Sequence, residues 1–346
     1  MTKYLIIGAG LTGLSAAYHL GDEDYLVLEK HSRVGGLCRT EEYDGFLFDL
    51  SIHILYTQDE YISHLIREVL LKGNYHEQVR ESWIYSKGVY TEYPFQAHTY
   101  GLPPDVIKEC ILGLIEARFG VDLKTGERKS NSKPRNFEEW IYKTFGKGIA
   151  EHFMIPYNRK LWAIDLKKMN YDWIAYRVPV PSLEEVLDGA LKPPQKKYGP
   201  NSYFWYPCQG GIEALPKGFL PYVGDKVLTN AEVVRIHSRK KYVELKNGET
   251  IGYEKLIYTL PLPLVPMLLD DVPPAVKEAA EGLEYNIIHT VNLGVDRPKI
   301  SNYHWVYFPE EDFVFHRISY PMNFHPSCAP EGRSSIMCEV SESRYK

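Results

Sequence analysis

The chain has 346 residues, a formal net charge of −5, and ordinary proportions of hydrophobic (44%) and charged (25%) residues. That is the composition of a globular protein with a large core and room for more than one structural unit. The negative balance gives no general reason to expect nucleic acid as a partner, so any anion site must be built locally.

Five cysteines, Cys38, Cys110, Cys208, Cys328 and Cys338, form no C-x-x-C pair and leave an odd count. This favours reduced thiols in a cytoplasmic protein over a disulfide framework, and metal binding is not expected. The N-terminal apolar run meets a glycine turn too early to span a membrane, and LIYTLPLPLVPMLL is interrupted by three prolines.

The opening MTKYLIIGAGLTG predicts a buried strand over Lys3 to Ile7, a helix over Leu11 to Leu20 and a second strand over Tyr25 to Glu29. This β-α-β unit is the entry of a doubly wound sheet. Within it, Gly8 permits the tight turn, Gly10 lets the backbone approach a pyrophosphate at the helix N-terminus, and Gly13 allows close helix–strand contact. Glu29 closes the next strand at about the ~20-residue distance of a ribose-binding acid.

The continuation KHSRVGGLCRT carries a second glycine pair, Gly35 and Gly36, followed by Arg39 and Thr40. It resembles the second pyrophosphate motif of flavoproteins of the amine-oxidase and glutathione-reductase type, which favours FAD over NAD. Arg33 reads equally as a solvated charge or as a cofactor contact.

Helical spacing follows over Asp59 to Leu71 and Pro103 to Phe119, then a polar loop from Lys124 to Asn136, then two short helices around Phe137 to Phe145 and Gly148 to Phe153. Between the first two helices, YPFQ (Tyr93 to Gln96) sets two aromatics and an amide around a proline. It reads as a strand end packing on the core, or as a slot for a flat heterocycle with an amide at its edge.

Beyond residue 200 the pattern turns to strands: YFWYP, AEVVRIHS, KYVELKNG, and a return to the first sheet at Lys255 to Thr259. Segments Tyr285 to Val295, Tyr303 to Phe308, Val314 to Ser319 and Ser335 to Val340 predict a second, mainly antiparallel sheet. The expected fold is α/β: a Rossmann-type FAD-binding domain from residues 1–85 and 205–285, a mainly helical substrate domain at 86–204, and an antiparallel-sheet region at 286–346.

In this order, R-T-x-x-Y-D-G-F-L-F-D-L-S-I-H, YPFQ, FMIPYNRKLWA, WIAYRVPVP, GPNSYFWYP, WVYFPE and HRISYPMNFHP resemble the UDP-galactopyranose mutase family, particularly its eukaryotic type, along essentially the whole chain. The resemblance implies a non-redox use of reduced FAD, whose N5 attacks the anomeric carbon of UDP-galactose as UDP leaves, with NADPH or NADH as candidate reductants. It also implies a UDP-sugar partner and leaves homo-oligomerisation open.

Residue by residue, it implies Tyr93, Phe95 and Gln96 at the uridine, with Phe153, Met154 and Asn158 beside it, and Trp162, Asn201 and Tyr307 along the ribose, diphosphate or sugar. Arg177 and Arg317 match arginines that bracket the diphosphate, a task suited to the bidentate guanidinium fork. His53 matches a histidine facing the flavin. The plainer readings are core packing for Trp162 and Tyr307, turns for Asn158 and Asn201, ion pairs for the arginines and local hydrogen bonding for His53.

Two departures stand out. Ser51-Ile52 replaces the glycine pair of a loop that moves with flavin redox state in the family. The family also continues beyond the equivalent of SESRYK into a segment with further substrate tyrosines, so the cofactor is expected to be less enclosed. The other readings are a flavin oxidase or desaturase of the amine-oxidase or protoporphyrinogen-oxidase type, and a catalytically impaired FAD or nucleotide-sugar-binding protein.

Overall fold

The run YLII, apolar on both sides, becomes the interior of a sheet in the computed structural model, which describes residues 1–128, 132–174, 177–193 and 202–345. Leu5, Ile6 and Ile7 on the strand Thr2–Ile7 are buried on both faces, as central strands of doubly wound sheets are. The strand pairs in parallel with Tyr25–Leu28 on one side and with Thr250–Tyr258 on the other. The expected return is therefore present, with Tyr4 opposite Lys255 and Ile7 opposite Tyr258.

In full, this six-stranded sheet runs Val233–His237, Tyr242–Leu245, Thr250–Tyr258, Thr2–Ile7, Tyr25–Leu28 and Val227–Leu228. It belongs to a unit made of Met1–His76 and Tyr206–Tyr285. The helix Leu11–Leu20 buries Gly13, Leu14 and Ala17. A separate two-stranded hairpin, Thr40–Tyr43 with Phe46–Asp49, turns at Asp44 and Gly45, both at positive φ (49° and 80°). That is the conformation Asp-Gly favours in a two-residue hairpin turn.

The other unit comprises Glu77–Trp205 and Asn286–Lys346. Its sheet runs Ile287–Val295, Ser334–Glu342, Arg317–Ser319, Trp305–Tyr307, Ser82–Ser86 and Val89–Glu92. The last hairpin was expected in part on the far side of the boundary at residue 85. It is held in this sheet by parallel pairing of Trp305 with Ser82 and Tyr307 with Ile84.

The helices of this unit pack by close backbone approach. A Cβ on Gly148 would come within 2.3 Å of the Glu109 carbonyl, and one on Gly146 (φ +75°) within 1.9 Å of the Gly113 oxygen. The helices Pro104–Phe119 and Phe137–Ile149 therefore meet at glycines. The second passes into a wide-turn segment, Ala150–Met154, and then the helix Ile155–Trp162. Their apolar faces, with Phe95 and Ile84, form the core of this unit.

Candidate functional site

The first glycine turn separates packing from ligand room. Gly8 has φ +100°, and a Cβ on Gly13 would lie 1.9 Å from the Gly8 carbonyl oxygen, so both glycines answer to the protein itself. Gly10 does not. Its φ of −75° suits any residue, and a Cβ there would meet only the Gly36 Cα, at 3.8 Å. What glycine keeps clear at position 10 is open space at the start of a ten-residue helix with no acidic residue in its first turn and no side-chain cap. That is a place for an anion.

Glu29 is buried at the end of the second strand. Its carboxylate accepts from the Ala9 N–H and the His31 N–H, each at 2.9 Å. Each oxygen retains acceptor capacity for a further donor. Gly35 docks against the first turn by donating its N–H to the Ala9 carbonyl at 2.9 Å. On the same loop Arg39 keeps a buried Nε with no hydrogen-bond partner among the described residues. An open helix N-terminus, a buried carboxylate with acceptor capacity and an unsatisfied guanidinium nitrogen fit a dinucleotide.

Thr40 is tied within the protein: its N–H donates to Glu213 at 3.1 Å and its hydroxyl to Asp49 at 2.7 Å. Arg33 is half-buried and paired with Glu213 and Glu41. His53 lies half-buried after the hairpin. Its Nδ1–H donates to the Ser51 carbonyl at 2.9 Å, which in the neutral ring leaves Nε2 as the acceptor.

In the other unit, YPFQ joins a column of rings. Phe95, with no exposed surface, stacks on Phe153 (centroids 5.1 Å apart, planes 9°), and Phe153 stacks on Tyr157 (5.2 Å, 6°). Tyr157 meets Tyr307 edge-on at 5.1 Å, and Tyr307 meets Tyr93 at 5.3 Å. Phe95 and Phe153 thus serve the core. The two tyrosines at the far end are half-buried and carry hydroxyls. Gln96 donates Nε2 to the Pro179 carbonyl at 2.9 Å, while its Oε1 is buried without a donor among the described residues.

Charge enters this group across three neighbouring strands. Tyr307 pairs with Arg317 and Arg317 with Glu339 in the sheet register, so the three side chains share one face. The Arg317 guanidinium grips the fully buried Glu339 carboxylate with Nε and Nη2, the latter at 2.8 Å. Burial opposes the guanidinium charge, but Glu339 outweighs it and holds the Arg317 pKa above the usual arginine value. Burial also pushes the Tyr93 and Tyr157 hydroxyls up, so both remain protonated donors at neutral pH. A buried arginine that the sequence did not single out, Arg80, lies 5.0 Å over the Tyr93 ring.

Arg177 lies in a second group and is exposed, donating Nη1 to the Trp173 carbonyl at 2.8 Å. Trp173 meets Trp162 at 5.3 Å, and Trp162 donates its ring N–H to Asn158 at 3.2 Å. Asn158 in turn donates to the Met154 carbonyl at 2.7 Å. The helix Ile155–Trp162 carries Tyr157 of the first group beside Asn158 of the second. Asn201, expected along the ribose, diphosphate or sugar, lies outside the described residues. Among the described residues no cluster of His, Cys, Asp or Glu could hold a metal ion, and no helix is long and apolar enough to cross a membrane.

Comparison with known proteins gives consistent relatives. The family model for flavin containing amine oxidoreductase matches residues 11–344. The solved structure of reduced UDP-galactopyranose mutase superposes with a TM-score of 0.90 at 30% identity, over 100% of this chain and 76% of that chain. Coproporphyrinogen III oxidase of Bacillus subtilis (strain 168) is 22% identical over 98% of this chain and 77% of its own length. dTDP-fucopyranose mutase of Escherichia coli is 25% identical over 52% of this chain and 46% of its own length.

Proposed function

Because the chain belongs to the flavin containing amine oxidoreductase family, we propose that it binds FAD and interconverts UDP-galactopyranose and UDP-galactofuranose in the cytoplasm, as a mutase of the eukaryotic type. The observation that carries this reading is the half-buried Arg317 guanidinium set among tyrosine hydroxyls, on the unit where Gln96 keeps an unsatisfied carbonyl. Such a lining suits a diphosphate and a base edge better than an apolar ring substrate. The likeness to reduced UDP-galactopyranose mutase over the whole chain supports it.

Gly10 and the helix start would receive the cofactor pyrophosphate, Glu29 a ribose, and Arg39 a phosphate or carbonyl oxygen. Bound reduced flavin would supply a nucleophile for the anomeric carbon, with NADPH or NADH as the source of electrons. Arg317 and Arg177 would offset the charge gathering on the departing diphosphate, where fixed donors act most strongly. The Gln96 carbonyl would accept a base N–H, with Phe95, Phe153, Met154 and Asn158 shaping the slot behind it. Trp162 and Tyr307 would border the ribose, diphosphate or sugar. His53 Nε2 would take a proton near the flavin.

The test is conversion of UDP-galactofuranose by reduced, FAD-loaded protein, followed by chromatography. A second reading, a porphyrinogen-type flavin oxidase, draws on the coproporphyrinogen III oxidase match and on the Arg317–Glu339 pair, which already neutralises the arginine. Oxygen uptake with a porphyrinogen, and no sugar conversion, would select it.

A further inference from the structure

The loop carrying Gly35 and Gly36 is gripped by two buried carboxylates that the proposed reaction does not use. Glu213 Oε2 accepts from the Thr40 N–H at 3.1 Å and from Arg33 Nη1 at 3.2 Å. Residues on both sides of the glycine pair therefore pivot on one oxygen. Arg33 Nη1 also donates to the Thr40 carbonyl at 3.2 Å, which closes residues 33–40 into a ring.

Asp49 holds the same threonine from its other side. It accepts the Thr40 hydroxyl at 2.7 Å, the Ile212 N–H at 3.1 Å and the Tyr206 hydroxyl at 2.8 Å. The Thr40 hydroxyl in turn accepts the Glu213 N–H at 3.2 Å. Gly211, at φ +60°, makes this approach feasible, since a Cβ there would lie 2.4 Å from the threonine oxygen. Two segments distant in sequence, 33–49 and 206–213, are tied together around the Thr40 hydroxyl and the Asp49 carboxylate.

Burying two carboxylates is costly, and apolar packing would anchor an ordinary loop more cheaply. What the carboxylates add is fixed geometry, at a loop that docks on the first glycine turn through the Gly35 N–H and whose Arg39 keeps an unsatisfied Nε. We propose that Glu213 and Asp49, acting through Thr40, are positioning residues for the dinucleotide. They hold Gly35, Gly36 and Arg39 in place against the helix start at Gly10. This inference rests on the flavin reading above.

The experiment is FAD titration by flavin fluorescence, with thermal melts of the apo chain, for the parent, Glu213→Gln, Thr40→Val, Thr40→Ser and Val243→Ala. Val243, fully buried in a different part of the same unit, is the control for lost stability alone. Glu213→Gln and Thr40→Val should bind FAD at least tenfold more weakly than the parent. Thr40→Ser, which keeps the hydroxyl, should stay within about threefold, and Val243→Ala should lower the melting temperature with unchanged FAD affinity.

If Thr40→Val and Glu213→Gln bind FAD like the parent, or lose no more than the Val243→Ala control, the positioning role is overturned and the flavin reading stands. Should Glu213→Gln not fold, the Thr40 pair decides by the same criteria. A parent chain that takes up no FAD overturns the flavin reading and this inference with it.

Discussion

Arg317→Ala would leave Glu339, which has no exposed surface, without the guanidinium that it now faces through two nitrogens. Removing one partner of a buried pair typically costs about 3–5 kcal/mol, because the remaining charge loses its opposite charge. For a unit of this size that is roughly 6–20 °C in melting temperature. Replacing both residues together, Arg317→Met with Glu339→Met, should recover most of the loss, since no charge is left buried. Arg317→Lys should recover only part of it, because an ammonium cannot reproduce the fork.

The arginine's contribution carries no pH dependence in the working range. Its pKa is raised on folding, so the stability it brings is complete below the ordinary arginine value and is lost only as pH rises above it, through the folded value. The assay is thermal melting at pH 7 with and without UDP, paired with calorimetric UDP titration. UDP at about a hundredfold excess over its Kd should stabilise the parent by about 2.7 kcal/mol, stabilise Arg177→Ala less, and leave Arg317→Ala unmoved. If Arg317→Ala melts with the parent and UDP raises both equally, the ion pair is not structural and the arginine receives no diphosphate.

Gly10→Ala should change apo stability by less than about 1 kcal/mol, since its backbone conformation is ordinary and the added Cβ meets no protein atom closer than 3.8 Å. It should nevertheless impair FAD binding, whereas Gly13→Ala, with a contact of 1.9 Å, should lower both stability and binding in the same melts and titrations. Asp49 has its pKa raised, chiefly by burial, so the folded state favours its protonated form and stability should fall as pH rises from about 3.8 through the folded pKa. Urea midpoints at pH 4.5 and 7 should differ less in Asp49→Asn than in the parent. Gln96→Leu should cost UDP at least about tenfold in affinity by calorimetry with FAD content intact. Phe95→Ala, in the ring column, should cost about 3–5 kcal/mol of stability, and unchanged UDP affinity in its folded fraction would assign Phe95 to the core alone.

The sequence-readable parts of this fold are those with local causes. The apolar run ending at Ile7, the glycines at 8, 10 and 13 and the acid at 29 are tied together within one β-α-β unit, and the later strands announce themselves by alternation and turns. The Asp44-Gly45 hairpin carries an equally local signal, a D-G turn flanked by aromatics. Other features depend on partners far along the chain. Glu213 reads as an exposed helix residue until Thr40 and Arg33 are brought to it, and Glu339 looks like a surface acid on a strand whose register with Arg317 no local pattern states. A charged residue at an inward strand position was the available clue to Glu339. The two arginines expected together fall in different surroundings, Arg317 half-buried on a buried carboxylate and Arg177 exposed beside Trp173.

The central claim, that this chain uses bound flavin to isomerise a UDP-sugar, is tested most directly by one incubation. The chain is loaded with FAD, its binding is confirmed by the flavin absorbance bands, the flavin is reduced with dithionite, and UDP-galactofuranose is added. Chromatography should show UDP-galactopyranose accumulating with reduced flavin, little with oxidised flavin, and none with Arg317→Ala. Flavin-loaded, fully reduced protein that leaves UDP-galactofuranose unchanged would contradict the account.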